Sequence, residues 1–158
     1  IRTMGRVSTG VIGMRLDGGD DEVVGMVCVN DPQTETIMVV SENGYGKRSD
    51  IEDYRKTARG TKGVKTLAVT EKTGRLVAIK VVTDEDDLMI INKSGVLIRL
   101  NVDEVRVMGR ATQGVRLINL TKKNDAIASV CKVQRSREEE DVEVSEPAEP
   151  SENLEITE

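Results

Sequence analysis

Short apolar runs separated by turn residues recur along the whole chain. Runs of this length that are rich in Val and Ile are typical of β-strands, and a continuous apolar run indicates a strand buried on both faces. No segment has the apolar spacing of an amphipathic helix. The pattern therefore predicts an all-β protein, with strands at 11–16, 23–29, 36–40, 64–69, 76–82, 88–91, 96–100, 115–120 and 127–133.

These runs belong to a repeat. The sequence Arg-x-[Ser/Thr]-x-Gly-Val begins at Arg6, Arg59 and Arg110, so the copies are 53 and 51 residues apart. Each copy opens a unit of one strand, a buried strand and a hairpin, and we number the units 1 to 3. The hairpins turn at Gly44 and Gly95, and unit 3 lacks its hairpin. Such a period is typical of propeller blades, which predicts roughly two and a half blades of about four antiparallel strands.

The composition excludes several kinds of site. The chain has no His, Phe or Trp and only two Tyr, which removes histidine bases, histidine-containing zinc sites and aromatic stacking of single-stranded bases. Tyr45 has no evident base beside it, so we predict no catalytic residue. We also predict no metal site. Cys28 and Cys131 each lie in an apolar run and are far apart, so we expect buried, reduced thiols.

Charge divides the chain into two parts. Residues 1–133 hold 21 basic and 18 acidic residues, a net charge of +3, whereas residues 134–158 hold 2 and 10, a net charge of −8. The second part is rich in Glu, Ser and Pro without apolar periodicity, so we predict a folded domain at 1–133 and a disordered acidic tail at 134–158. A tethered acidic tail could compete with nucleic acid for a basic surface.

The cations suggest a contact surface for duplex DNA. Residues 43–65 form the densest basic window, with seven basic and three acidic residues. A solvated loop is the alternative explanation for this window, and structural pairing is the alternative for the motif arginines. The glycines Gly10, Gly63 and Gly114 are expected to hold a special backbone conformation. The candidate DNA contacts are Arg6, Lys47, Arg48, Arg55, Lys56, Arg59, Lys62, Lys65, Arg99 and Arg110.

Two further segments invite weaker interpretations. The glycines around Tyr45 lack the spacing of a phosphate-binding loop and do not open a helix. The acidic run 84–87 lacks the spacing of a calcium loop, so we expect a solvated turn there.

The repeated motif resembles a known family. The sequences MGRVSTGV at 4–11, NGYGKR at 43–48, RGTKGV at 59–64 and MGRATQGV at 108–115 are similar to the C-terminal domain of the bacterial DNA gyrase A subunit. The resemblance covers about residues 1–133, and an acidic tail also fits many members. The chain begins with Ile1 within a motif copy, so we expect it to be a part of a longer protein.

The resemblance implies a six-bladed β-pinwheel whose strands are exchanged between blades. It implies that duplex DNA wraps around a basic rim, so that the holoenzyme, an ATP-dependent type II topoisomerase, introduces negative supercoils. It also implies no cofactor in this segment, ATP and Mg²⁺ bound through the gyrase B subunit, an A2B2 assembly and a cytoplasmic, nucleoid-associated location, with no membrane contact.

One departure and two alternatives qualify this expectation. The basic box QRRGGKG of the family's first blade is absent, so residues 1–133 match later blades. The alternatives are a non-catalytic β-propeller that serves as a protein-interaction scaffold and the related domain of the topoisomerase IV A subunit. Cations gathered on one outer rim would favour DNA, whereas cations paired with carboxylates would favour the scaffold.

Overall fold

Seven β-strands form the protein in a computed structural model that describes residues 2–120 and 125–135. The strands are β1 (Thr36–Ser41), β2 (Tyr45–Asp50), β3 (Leu76–Val82), β4 (Asp86–Asn92), β5 (Leu97–Asn101), β6 (Val115–Arg116) and β7 (Ile127–Gln134). Two short 3-10 turns, Ile51–Asp53 and Val102–Glu104, follow β2 and β5. The all-β prediction is confirmed.

Strands from different units combine in the first sheet. Its order is β3-β1-β2-β6, and all neighbours are antiparallel. The hairpin β1–β2 comes from unit 1, β3 from unit 2 and β6 from unit 3. The register places Met38 opposite Arg48 on one side and opposite Lys80 on the other. This sheet is a blade with exchanged strands, as the resemblance implies.

The second sheet repeats the arrangement one unit later. Its order is β5-β4-β7, so the unit 2 hairpin pairs with a strand of unit 3. Both hairpins turn at a glycine with positive φ, 78° at Gly44 and 85° at Gly95, as predicted. Sheet 2 has no counterpart of β6 among the described residues, and Leu97 on β5 is half exposed.

The core lies between the two sheets. Met38 and Val40 of β1 pack in one cluster with Leu88 and Ile90 of β4, and all four are almost fully buried. Alternate residues of β1 face the other side, where Ile37 and Val39 pack with Leu67. Burying both faces of β1 explains why its sequence is an apolar run rather than an alternating one.

Three predicted strands are wrong: runs 11–16, 23–29 and 64–69 form no ladder, apart from an isolated bridge between Met14 and Thr61. The topology supplies the reason for run 23–29. Each second run pairs with the hairpin of the preceding unit, β3 with β1 and β7 with β4. Within the described residues no hairpin precedes run 23–29, so Val23 and Met26 stay exposed.

The predicted burial of both cysteines is also wrong, because Cys28 and Cys131 are exposed, although both are free thiols. Cys28 lies in the unpaired run 23–29. On β7 the buried positions are Ile127 and Val130, which places Cys131 on the outward side of that strand.

Other expectations concern features that the described residues show only in part. None of the helices there is long and apolar enough to cross a membrane. The boundary at 133 falls one residue before the end of β7. The predicted disorder of the tail concerns residues that, from 136 onward, lie outside those described, so it stays a prediction.

Candidate nucleic-acid interface

Strand β2 buries two of the predicted DNA contacts. Its sequence, YGKRSD, is polar, yet every residue except the last is buried. The strand lies between β1 and β6, and the motif of unit 3 covers it. Strand β2 is therefore buried because of its position inside the sheet, although its sequence is polar.

Lys47 is fully buried, and its Nζ donates a hydrogen bond to the carbonyl oxygen of Gly109 at 2.7 Å. Burial lowers the pKa of Lys47 to about 8, against the attraction of Asp53, while Arg110 lowers it further. A side chain with no exposed surface cannot contact DNA in this conformation, so Lys47 is a structural residue here.

Arg48 is almost as deeply buried and has three partners. Its guanidinium donates to the hydroxyl of Thr36, to the carbonyl of Val102 and to the carboxylate of Asp84 at 2.6 Å. Asp84 itself is exposed, so the pair sits at the edge of the core. Arg48 thus ties β2 to the other sheet through the turn after β5.

The remaining cations of the predicted window lie on one exposed segment. We call residues 54–65 the basic loop; it holds Arg55, Lys56, Arg59, Lys62 and Lys65, all exposed. Lys62 pairs with Asp17, and that hydrogen bond raises the pKa of Lys62. The other four side chains have no hydrogen bond or ion pair within the part of the chain that the structure describes. The loop therefore presents four unpaired positive charges to solvent.

Arg110 joins the two ends of the basic loop. Its Nε donates to the carbonyl of Asp53 at 3.0 Å, and its Nη1 donates to the carbonyl of Lys65 at 2.7 Å. Both acceptors are backbone atoms just outside or at the loop boundary. The motif arginine of unit 3 therefore holds the loop of unit 2 in place, which fits the structural alternative for this residue.

Arg99 belongs to an acidic network rather than to the loop. Its Nε donates to the buried carboxylate of Asp87 at 2.7 Å, and Arg135 approaches the same carboxylate. Asp86 is also buried and accepts hydrogen bonds from Thr83. The expected solvated turn at 84–87 is therefore wrong for its second half, because these carboxylates start β4 and are paired.

The motif arginine of unit 1 lies at the surface. Arg6 is exposed and has no side-chain partner among the described residues. The predicted special conformation is confirmed in all three copies, with φ of 86° at Gly10 and 79° at both Gly63 and Gly114.

Charge pairing gives a divided answer between a DNA rim and a scaffold. Arg48, Lys62 and Arg99 pair with carboxylates, whereas Arg59 stays unpaired in the described chain.

Two exposed arginines, Arg2 and Arg106, were missed as candidates. They occupy equivalent places in the repeat, and alignment of the units beyond the motif would have found them.

Comparison with known proteins decides the family. The family described as "DNA gyrase C-terminal domain, beta-propeller" matches residues 1–30, 35–83 and 86–132. The chain belongs to this gyrase C-terminal domain family. It is 46% identical over 140 residues to the DNA gyrase A subunit of Staphylococcus aureus strain MRSA252, and the same match is found in strain NCTC 8325.

Each of these two matches covers 89% of this chain and 16% of the relative. The chain thus spans about a sixth of the length of the gyrase proteins that it matches.

Solved structures agree with the gyrase family fold. The structure titled "Structure of DNA gyrase A C-terminal domain" has a TM-score of 0.59 and 28% identity, covering 63% of this chain and 34% of that one. The C-terminal domain of DNA topoisomerase IV has a TM-score of 0.61 at 21% identity, covering 67% and 32%. The second likeness concerns the fold alone.

Proposed function

We propose that the chain is part of the C-terminal domain of a DNA gyrase A subunit, in which it binds duplex DNA on its basic loop. The observation that carries this proposal is the cluster of unpaired, exposed cations between the two backbone atoms held by Arg110. Unpaired cations release counterions from DNA without first breaking an ion pair, and such contacts dominate the affinity of backbone binding.

The proposed contacts are a subset of the predicted candidates. They are the exposed cations Arg6, Arg55, Lys56, Arg59, Lys62 and Lys65. Lys47 and Arg48 are left out because they are buried, Arg99 because it bonds the buried carboxylate of Asp87, and Arg110 because it bonds backbone carbonyls. Lys62 is kept because both it and its partner Asp17 are exposed. The described residues offer no α-helix that could enter a major groove, so the proposed mode is sequence-tolerant contact with phosphates.

The wider activity belongs to the longer protein. In this proposal the DNA wraps around the domain, and the holoenzyme, an ATP-dependent type II topoisomerase, uses that wrap to introduce negative supercoils. ATP and Mg²⁺ are bound through the gyrase B subunit in an A2B2 assembly, in the cytoplasm and at the nucleoid. The acidic segment from 136 onward, outside the described residues, competes for the same cations and weakens binding.

The scaffold alternative has one observation in its favour, the three cation–carboxylate pairs of Arg48, Lys62 and Arg99. Ligation of nicked circular DNA in the presence of the protein separates the two functions. Wrapping traps a change in linking number when the nick is sealed, whereas a scaffold leaves the topoisomer distribution unchanged.

The same assay tests the tail. We expect the complete gyrase A subunit truncated after Arg135 of this chain to shift the linking number at a lower protein concentration than the untruncated subunit. Equal concentrations would contradict the proposed competition, and no shift with either protein would contradict the wrapping function.

A further inference from the structure

An exposed arginine recurs four residues before the motif arginine of every unit. Arg2, Arg55 and Arg106 are 53 and 51 residues apart, the same spacings that separate the motif arginines. All three are exposed. We call them the outer arginines. The repeat therefore carries two arginine series in register rather than one.

The same backbone geometry presents two of the outer arginines. Arg55 follows the 3-10 turn Ile51–Asp53, and Arg106 follows the 3-10 turn Val102–Glu104. The residues between turn and arginine have nearly the same conformation: φ is −101° at Tyr54 and −90° at Val105, and ψ is 104° at both. Arg55 and Arg106 therefore leave the ends of β2 and β5 in equivalent ways.

A buried neighbour, Val105, and a partly buried one, Tyr54, anchor these two positions. The amide of Tyr54 donates to the carbonyl of Ile51, and the amide of Val105 donates to the carbonyl of Val102, each at 3.0 Å. Val105 is buried in the core between the sheets. The Tyr54 hydroxyl makes a 2.5 Å hydrogen bond with the Thr66 hydroxyl. Arg55 and Arg106 thus extend from a fixed backbone rather than from a loose loop.

The motif arginine Arg110 has surroundings that differ from those of the outer arginines. Arg110 bonds the carbonyls of Asp53 and Lys65, so it lies beside the backbone that carries Arg55. Arg59 lines one cleft of about 330 Å³ with Arg2 of the unit before it. The outer arginines themselves have no hydrogen bond or ion pair with any residue that the structure describes.

We propose that the outer arginines are the recurring phosphate contacts of this domain, one for each unit, and that Arg110 holds the backbone beside Arg55. This inference rests on the proposed binding of duplex DNA. An exposed, unpaired guanidinium keeps its planar fork of donors available for a phosphate, and such a contact positions DNA without reading its sequence. Equivalent placement in successive units would lead the DNA backbone from one blade to the next.

The test measures binding of a long duplex across a salt series by the complete gyrase A subunit that contains this chain. The variants are Arg55→Gln, Arg106→Gln and the triple variant that also carries Arg2→Gln. Lys93→Gln is the matched control, because Lys93 is exposed, has no side-chain partner among the described residues and lies in the turn at the other end of β5. A shortened protein without this chain completes the set, and circular dichroism confirms that each variant is folded.

The slope of log K against log salt is negative. Each single arginine variant should reduce its magnitude by about 1 per chain, and the triple variant by about 3. Lys93→Gln should leave the slope unchanged, and Arg55→Lys should restore it because the charge returns. Arginine variants that behave like Lys93→Gln would overturn the assignment while leaving the proposed function intact. An equal slope with and without the chain would overturn the proposed function itself.

Discussion

The Lys47 ammonium donates a 2.7 Å hydrogen bond to the carbonyl oxygen of Gly109, 62 residues further along the chain. The bond joins the hairpin of unit 1 to the motif of unit 3. The hydroxyl of Ser49 reinforces it by donating to the carbonyl of Met108 at 2.8 Å. These contacts explain why β2 can bury a lysine: the strand is the surface on which a distant motif is seated.

The burial of Lys47 should make stability depend on pH. The pKa of Lys47 is about 8 in the folded protein and near 10.5 in the unfolded chain. Between these values the folded state binds fewer protons, so the free energy of unfolding rises with pH, by up to about 1.4 kcal/mol for each pH unit. Urea unfolding at pH 7, 8, 9 and 10 measures this rise.

Lys47→Met is the control for that dependence, since it removes the titrating group and keeps an unbranched side chain. Above pH 8 the free energy of unfolding of the wild-type chain should rise because Lys47 titrates. We expect this contribution to be absent from the variant. Identical pH profiles for the two proteins would show that Lys47 titrates normally and is accessible to water.

Gly114 should not tolerate a side chain. Its φ is 79°, and an added Cβ would collide with the carbonyl of Gly46, so both the backbone conformation and the space require glycine. We expect Gly114→Ala to lower the free energy of unfolding by about 2–4 kcal/mol, of which the positive φ accounts for about 1. Denaturant unfolding of the chain measures the loss.

Gly95→Ala separates the two causes. Gly95 has a similar φ of 85°, but an added Cβ there would have no atom within 4 Å. The expected loss is therefore about 1 kcal/mol, from the backbone alone. If both variants lost the same amount, the close approach between the motif of unit 3 and β2 would be wrong.

Arg110 should matter for stability and local order. Arg110→Ala removes the hydrogen bonds to the carbonyls of Asp53 and Lys65, which should cost about 1–2 kcal/mol and speed amide exchange across the basic loop. Hydrogen exchange followed by mass spectrometry reports the loop directly. Arg106→Ala is the control, since Arg106 is exposed and has no side-chain partner in the described chain, and its stability should stay within about 0.5 kcal/mol.

Both thiols should react in the native protein. Cys28 and Cys131 are exposed, so a thiol reagent added without denaturant should modify two groups in each chain. Single variants Cys28→Ser and Cys131→Ser should each remove one equivalent. If modification required denaturant, the thiols would be buried, as the apolar runs had predicted.

The amino-acid sequence by itself determined the repeat, the all-β class and the turns. These depend on local chemistry: the apolar runs that form β1, β3, β4 and β7, and the glycines that supply positive φ at Gly44 and Gly95. The residues of the repeated motif were also sufficient to show the resemblance to the gyrase family, which the matched residues confirm.

Only the tertiary structure decided which runs pair and which cations reach solvent. Run 23–29 is as apolar as β3, yet it forms no strand because its partner would be the hairpin of a preceding unit, and the described residues hold none. Lys47 and Lys56 lie in one basic window, yet β1, β6 and the motif of unit 3 enclose the first and leave the second exposed. Pairing across 35 or more residues depends on contacts that a local pattern does not contain, so burial of a polar strand becomes visible only when those contacts are in place.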